Sequence, residues 1–155
     1  MTPTILAVDD EQDILLAMKG LLEGVLKVPV TTATSGLDGL RVLEQQEVAL
    51  VISDFRMPGM NGLEFLARSF QLRPDVPRVM LTAFPDMELV IQAVNQARIT
   101  QFLLKPVQPD SLVDTVQGIL AESAASAARA KARGPGLPAG LASPRSSDRV
   151  PGRPS

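Results

Sequence analysis

The 155-residue chain contains no cysteine, histidine, tryptophan or tyrosine, and five phenylalanines are its only aromatics. Without Cys or His there is no disulfide framework, zinc finger, catalytic thiol or Ser-His-Asp triad. No phosphohistidine can form on this chain. The core must be aliphatic, drawn from a 45% apolar composition. No apolar run approaches the ~18 residues a membrane span needs, and the N-terminus lacks a basic-then-apolar signal pattern. The expectation is a soluble cytoplasmic protein without membrane insertion, built as one domain with an appendage.

The formal net charge of −2 hides an asymmetry. Residues 1–128 carry 9 Lys/Arg against 16 Asp/Glu, a net −7, whereas residues 129–155 carry 6 against 1, a net +5. An acidic body argues against direct nucleic-acid binding and suits a cation site. Residues 134–155 hold five Pro, four Gly and four Ser with three large apolar residues, Leu137, Leu141 and Val150. Such a segment buries too little surface to offset its ordering entropy, which predicts a disordered tail. Residues 123–133, rich in Ala with Arg and Lys and lacking an apolar stripe, predict a solvated helical extension. The basic tail reads as a solvated linker rather than a contact for nucleic acid or acidic lipid.

The body alternates. Short apolar runs at 4–8, 30–33, 48–52, 78–81 and 99–104 read as five strands, and the stretches between them carry helical periodicity. Ile14, Leu15, Met18, Leu21, Leu22 and Val25 make one helical stripe; Leu63, Leu66 and Phe70 a second; Val90, Ala93, Val94 and Ala97 a third; and Leu112, Val113, Val116, Ile119 and Leu120 a fourth. Gly24 is placed to end the first helix, and Pro85 to open the fourth. Alternating strands and helices predict an α/β fold with a parallel sheet covered on both faces. Proline cannot donate to a central ladder, so Pro29 puts the second strand at an edge, which fits the flavodoxin-like order 2-1-3-4-5.

Ligands of open α/β sheets bind outside the carboxyl ends of the strands. Strand one runs into Asp9-Asp10-Glu11, strand three into Ser53-Asp54, strand four into Thr82-Ala83 and strand five into Lys105-Pro106. Three carboxylates there total about −3, which a divalent cation and Lys105 bring to about zero; oxygen donors with room for water suit Mg²⁺. Beside a metal and an ammonium group, Asp54 is a candidate nucleophile toward a phosphoryl group, with Thr82 offering a hydroxyl and Ala83 leaving an approach path.

The set Asp9-Asp10, Asp54, Thr82 and Lys105-Pro106, with the Asp54-Phe-Arg-Met-Pro-Gly-Met-Asn-Gly62 run, resembles the response-regulator receiver domain of the CheY-like superfamily. The resemblance covers roughly residues 3–122. It implies a receiver over 1–122, followed by the extension at 123–133 and the tail at 134–155. It further implies that a partner sensor histidine kinase or phosphotransfer protein phosphorylates Asp54. Mg²⁺ would be held by Asp10, Asp9, Asp54 and the Arg56 backbone carbonyl. Lys105 would pair with Asp54 and then with the phosphoryl oxygens, and Lys105–Pro106 would be a cis peptide. Thr82 would move toward the phosphoryl group, and Phe102 would change rotamer with it. A downstream protein would dock on the helix 4, strand 5 and helix 5 face, about residues 86–120; a homodimer is also open. Phe102 lacks the hydroxyl that tyrosine supplies in many relatives, and Arg56 and Phe84 stand at positions that, by the same resemblance, would border the path of an attacking water.

Other readings compete. Asp9 and Asp10 suit a helix N-cap, Asp54 a loop, Thr82 a β-branched strand residue, Lys105 an ordinary surface lysine and Phe102 plain core. Met57, Pro58 and Met60 read as loop-shaping residues, and Gly62 as a positive-φ or helix-start glycine. A haloacid-dehalogenase-like phosphatase also uses Asp and Mg²⁺, but places its nucleophile in an Asp-x-Asp pattern at the first strand, whereas Asp9 and Asp10 are adjacent. A pseudo-receiver scaffold would not need the acidic, Thr and Lys set. The acidic turn after strand one disfavours a nucleotide-binding fold, which needs a Gly-rich cradle. A receiver is not an enzyme beyond its own phosphorylation and slow dephosphorylation. A stand-alone regulator that acts by docking is expected, with a fragment of a longer multidomain regulator as the alternative.

Overall fold

The computed structural model describes residues 2–83 and 86–133. These hold β1 (Thr4–Val8), α1 (Gln12–Leu26), β2 (Val30–Ala33), α2 (Gly36–Gln45), β3 (Val48–Asp54), α3 (Gly62–Leu72), β4 (Arg78–Thr82), α4 (Met87–Gln92), β5 (Gln101–Leu104) and α5 (Pro109–Arg133). A π-helical turn over Ala93–Ala97 continues α4. The expected helix start at Pro85, the water-path position Phe84 and the tail at 134–155 lie outside the described residues.

All strand pairs are parallel, in the order β2-β1-β3-β4-β5. This is the flavodoxin-like fold read from the sequence. β2 lies at an edge, and α1 satisfies its outermost groups. The Val30 N–H donates to Glu23 Oε2 (2.9 Å), and Lys19 Nζ donates to the Val30 carbonyl (2.7 Å). The Val30 N–H first, and second a hydrogen bond from Lys19 Nζ to the same Oε2 (2.9 Å), hold the Glu23 carboxyl below its ordinary range.

Strand alternation sorts side chains to two faces. Ile5, Ala7, Leu50, Ile52, Val79, Leu81 and Leu103 meet Leu15, Met18 and Leu22 of α1 and Leu112 and Val116 of α5. Leu6, Val8, Val51 and Met80 meet Leu43 of α2, Phe65 and Leu66 of α3, and Leu89, Ala93 and Ala97 along α4 and its π-turn. The helical stripes differ from expectation where helices are apolar on more than one side. In α3 the fully buried ring is Phe65. Along α4 the buried line is Leu89, Ala93 and Ala97, while Met87, Ile91 and Val94 face outward. Small alanines let that segment approach the sheet closely.

Gly24 does not end α1. The helix runs on to Leu26, whose side chain packs on the core, and Lys27 takes the left-handed cap at φ 58 before Pro29 forbids further helix. A side chain in that conformation costs about 1–2 kcal/mol, partly offset by glycine's greater unfolded entropy. Lys27→Gly is therefore expected to stabilise the protein by about 0.5 kcal/mol, read as a higher urea midpoint.

The chain divides after Leu120 into two units. α5 is one helix through Arg133, and its later part carries the exposed pair Arg129–Glu122 at 3.3 Å. Among the described residues no helix is long and apolar enough to cross a membrane.

Candidate functional site

Four strands deliver polar residues to one edge of the sheet because each hydrophobic run stops there. Asp9 follows β1 and is fully buried; its N–H donates to Ala33 of β2 (3.2 Å). Asp54 is the last residue of β3 and is also buried. The next N–H, that of Phe55, continues the ladder to the Leu81 carbonyl (2.9 Å), and the Lys105 N–H donates to the Thr82 carbonyl (3.0 Å). The Lys105–Pro106 peptide is cis.

The side chains converge. Lys105 Nζ donates to Asp54 Oδ1 at 3.0 Å and stands 3.8 Å from Asp9 Oδ2. One oxygen each from Asp9, Asp10 and Asp54 lie within 4.8 Å of one another. Asp10, Glu11, Asp54, Phe55, Arg56, Thr82, Ala83 and Lys105 line a cleft of about 230 Å³. A larger apolar groove of about 680 Å³ adjoins it, running from Ile14, Met18 and Leu21 to Pro106, Val107 and Leu112. Phe102 lies apart from the cleft, half-buried against the α3/α4 side of the core.

The capping alternative for the acidic pair does not describe this geometry. The N-cap of α1 is Glu11, which makes no side-chain capping bond. Asp9 Oδ1 accepts the Glu11 N–H at 2.9 Å, which turns its other oxygen inward. That Oδ2 is buried with no hydrogen-bond partner among the described residues. Such an atom is costly unless something cationic meets it. Three hard carboxylate donors, one with an orphaned buried oxygen, fit a small divalent cation of the Mg²⁺ kind.

The electrostatics follow. Burial pushes the Asp9 carboxyl up to about 6; the Glu11 N–H opposes this, the charge of Asp54 adds to it, Lys105 opposes it and Asp10 adds slightly. For Lys105, burial pulls the ammonium down, but the Asp54 hydrogen bond and the charges of Asp54, Asp9 and Glu11 outweigh it and the pKa is raised. Lys105 therefore stays cationic throughout the neutral range.

Three residues that the sequence reading named without a role in the site contribute to it. Glu11 lines the cleft and bears on Lys105. Ser53, fully buried, donates its hydroxyl to the Asp54 carbonyl at 2.9 Å. Gly62 opens α3 directly against the backbone of Asp54 and Phe55, and donates to the Phe55 carbonyl at 2.8 Å. The left-handed glycine of this loop is Gly59, at φ 76, and not Gly62.

A family model described as the response regulator receiver domain matches residues 5–117. Transcriptional regulatory protein GlrR of Escherichia coli K12 is 38% identical over 120 residues, which is 77% of this chain and 27% of the relative. Hydrogenase transcriptional regulatory protein HoxA of Cupriavidus necator is 37% identical over 114 residues, 74% of this chain and 23% of the relative. The chain thus spans about a quarter of the length of these curated relatives. A CheY-like response regulator receiver domain protein from Methanospirillum hungatei superposes with TM-score 0.76 at 28% identity, covering 81% of this chain and 99% of that one. Chemotaxis protein CheY4 of Vibrio cholerae does so with TM-score 0.69 at 30% identity, covering 77% and 99%. With its five-stranded order and its strand-end carboxylates beside a lysine, the chain belongs to the response-regulator receiver family of two-component signalling.

Proposed function

We propose that Asp54 accepts a phosphoryl group from a partner sensor histidine kinase or phosphotransfer protein, and that the acyl phosphate shifts the chain between two signalling conformations. The observation that carries this reading is the Asp9, Asp10, Asp54 and Lys105 cluster, with Lys105 Nζ 3.0 Å from Asp54 Oδ1 and a buried Asp9 oxygen that accepts no hydrogen bond and has only the Lys105 ammonium at 3.8 Å. One Asp54 oxygen attacks phosphorus, the bond from phosphorus to the donor nitrogen breaks, and that electron pair returns to the donor's imidazole. Lys105 stabilises the charge gathering on the phosphoryl oxygens, and Thr82 offers its hydroxyl to one of them. Asp9, Asp10, Asp54 and the Arg56 carbonyl would hold Mg²⁺, which supplies charge neutralisation across that transfer.

No histidine lies within these 155 residues, so in this reading the phosphohistidine donor comes from outside them. The apolar groove opening beside Lys105 gives that partner surface to bury. The outward Met87, Ile91, Val94 and Leu104 of α4 and β5 favour docking of a downstream protein, or of a second copy, on that face. In this reading Phe102, on β5 and packed on the α4 side, follows the movement of Thr82.

Incubation with Mg²⁺ and acetyl phosphate is expected to add the mass of one phosphoryl group, labile in base. EDTA or Asp54→Asn is expected to abolish it. An unchanged intact mass in the presence of bound Mg²⁺ overturns the acceptor assignment. Continued turnover of a stable phosphomonoester would instead indicate a phosphatase.

A further inference from the structure

Arg78 opens β4 and is only 5% exposed, at the end of the strand opposite Thr82. None of the described ion pairs includes it. Its guanidinium is met by backbone carbonyls instead. Nε donates to Ala97 (2.8 Å) and Arg98 (3.3 Å), and Nη2 donates to Arg98 (3.2 Å). Nη1 donates to Val76 and, at 3.5 Å, to Arg73, while Cζ lies 4.9 Å from the centroid of the Phe70 ring in α3. The Arg78 main chain binds the same segment: its N–H donates to Thr100 Oγ1 (3.1 Å), and the Thr100 N–H donates to its carbonyl (2.7 Å).

The contacts to Ala97, Arg98 and Thr100 lie at one end of α4, while those to Arg73, Val76 and Phe70 tie the same side chain to the end of α3. Ala97 and Arg98 close the π-turn, and Arg98 is held at φ 51, a conformation a non-glycine side chain rarely adopts. A cation facing the last carbonyls of a helical segment complements their negative partial charge. Lysine could not reproduce this fork of donors. At the other end Asp86 Oδ1 caps Leu89 N (2.8 Å), Leu89 is buried, and Met87 is 74% exposed. Strand alternation sends Arg78, Met80 and Thr82 to the face that carries α4, roughly 13 Å apart from first to last. One strand thus touches the helix segment at a pinned end and presents the candidate switch residue near the other. The wider ring of a π-turn is a place where such a segment can bend.

We propose that Arg78 is the fulcrum of the switch: it holds the Ala97 and Arg98 carbonyls to β4 in both signalling states, so that events at Thr82 move α4 by its N-terminal end. This rests on the reading that phosphorylation of Asp54 acts through Thr82. Arg78 touches no reacting atom and is a positioning residue.

The test is residue-resolved amide exchange of the full chain with Mg²⁺, with and without beryllofluoride as the acyl-phosphate mimic, whose binding ¹⁹F NMR reports directly. In the unmodified protein, beryllofluoride is expected to change protection over 87–92 and to leave 97–100 within about twofold. In metal-free Arg78→Met, which keeps an apolar stem, protection at 97–100 is expected to fall about tenfold or more while β1 and β3 keep theirs. With beryllofluoride, the change in that variant is expected to spread into 97–100. Equal changes at both ends of α4 in the unmodified protein, with beryllofluoride bound, overturn the fulcrum alone. A loss spread evenly over β1 and β3 in Arg78→Met, or no loss at 97–100, overturns it as well. Absence of bound beryllofluoride overturns the acceptor reading and the fulcrum with it, and the metal-free comparison then reports separately whether Arg78 holds the segment.

Discussion

Gly62→Ala is expected to destabilise the protein by about 3 kcal/mol and to slow phosphorylation of Asp54 by about tenfold or more, although Gly62 is neither a ligand nor a nucleophile. A Cβ at Gly62 would overlap the Asp54 carbonyl oxygen and come within 2.8 Å of Phe55 Cα. Both neighbours are backbone, so no rotamer change relieves the clash. Either α3 lifts away from β3, which breaks the Gly62 to Phe55 hydrogen bond, or the Asp54 peptide turns. The first weakens packing of Phe65 and Leu66, which are fully buried only because α3 lies against the sheet. The second moves the carboxylate that Lys105 holds at 3.0 Å. Gly59→Ala is the control: its site is open space but its φ is 76, so it is expected to cost about 1 kcal/mol of stability and leave phosphorylation intact. Urea unfolding and acetyl phosphate labelling of both variants decide the matter; an unchanged midpoint in Gly62→Ala would refute the steric argument.

That role was not legible in the sequence. A glycine beginning a helix after a loop suggests backbone freedom, and only the closeness of α3 to the Asp54 peptide shows that volume matters instead. The strands were legible for the opposite reason. Parallel strands buried on both faces read as continuous apolar runs, so Thr4–Val8 emerges with its observed bounds; Val30–Ala33 does too, although it is an edge strand with Thr32 exposed. Pro29 placed β2 at the edge. β5 begins at Gln101 rather than Ile99 because Arg98 takes the left-handed conformation that closes the π-turn before it. Along α4 and its π-turn periodicity succeeded in part: Ala93 and Ala97 of the expected stripe are buried, but Val94 faces outward with Met87 and Ile91 in an apolar line as good as the buried one. Burial there is decided by how closely small side chains approach the sheet.

At the site, Asp9, Asp10, Asp54, Thr82 and Lys105 stood out because each ends an apolar run, and parallel strands share one carboxyl edge. The same logic cannot see Arg78. It sits at the opposite strand end, within an apolar run, and its partners are main-chain carbonyls that no side-chain pattern encodes. Nor does it place Phe102, whose aromatic ring in an apolar strand reads equally as core.

Without bound cation, the protein is expected to lose stability as pH rises from about 4 to about 6, the reverse of ordinary acid denaturation. Asp9 is responsible. Its carboxyl titrates near 6 in the folded chain, against 3.8 for the unperturbed group, chiefly because burial disfavours its charge. The folded state therefore holds this proton more tightly than the unfolded state does. Its contribution is fully present below the lower value and is lost as pH rises through the upper one. A shift of this size corresponds to roughly 3 kcal/mol. Lys105, raised above its ordinary value, remains charged across that window and adds no slope there. Asp9→Asn keeps the side-chain oxygen that can accept the Glu11 N–H and removes the buried charge. It is expected to flatten the profile between pH 4 and 6 and to exceed the unmodified protein in metal-free stability at pH 7 by about 2 kcal/mol. Saturating Mg²⁺ should invert the comparison, because the cation favours the ionised Asp9 that the empty cluster penalises, and the variant has lost that donor. Urea midpoints across pH 4 to 8, with EDTA and with Mg²⁺, give both slopes. A metal-free slope in Asp9→Asn equal to that of the unmodified protein would show that another group carries the proton, and would remove Asp9 as the origin of the cluster's need for a cation.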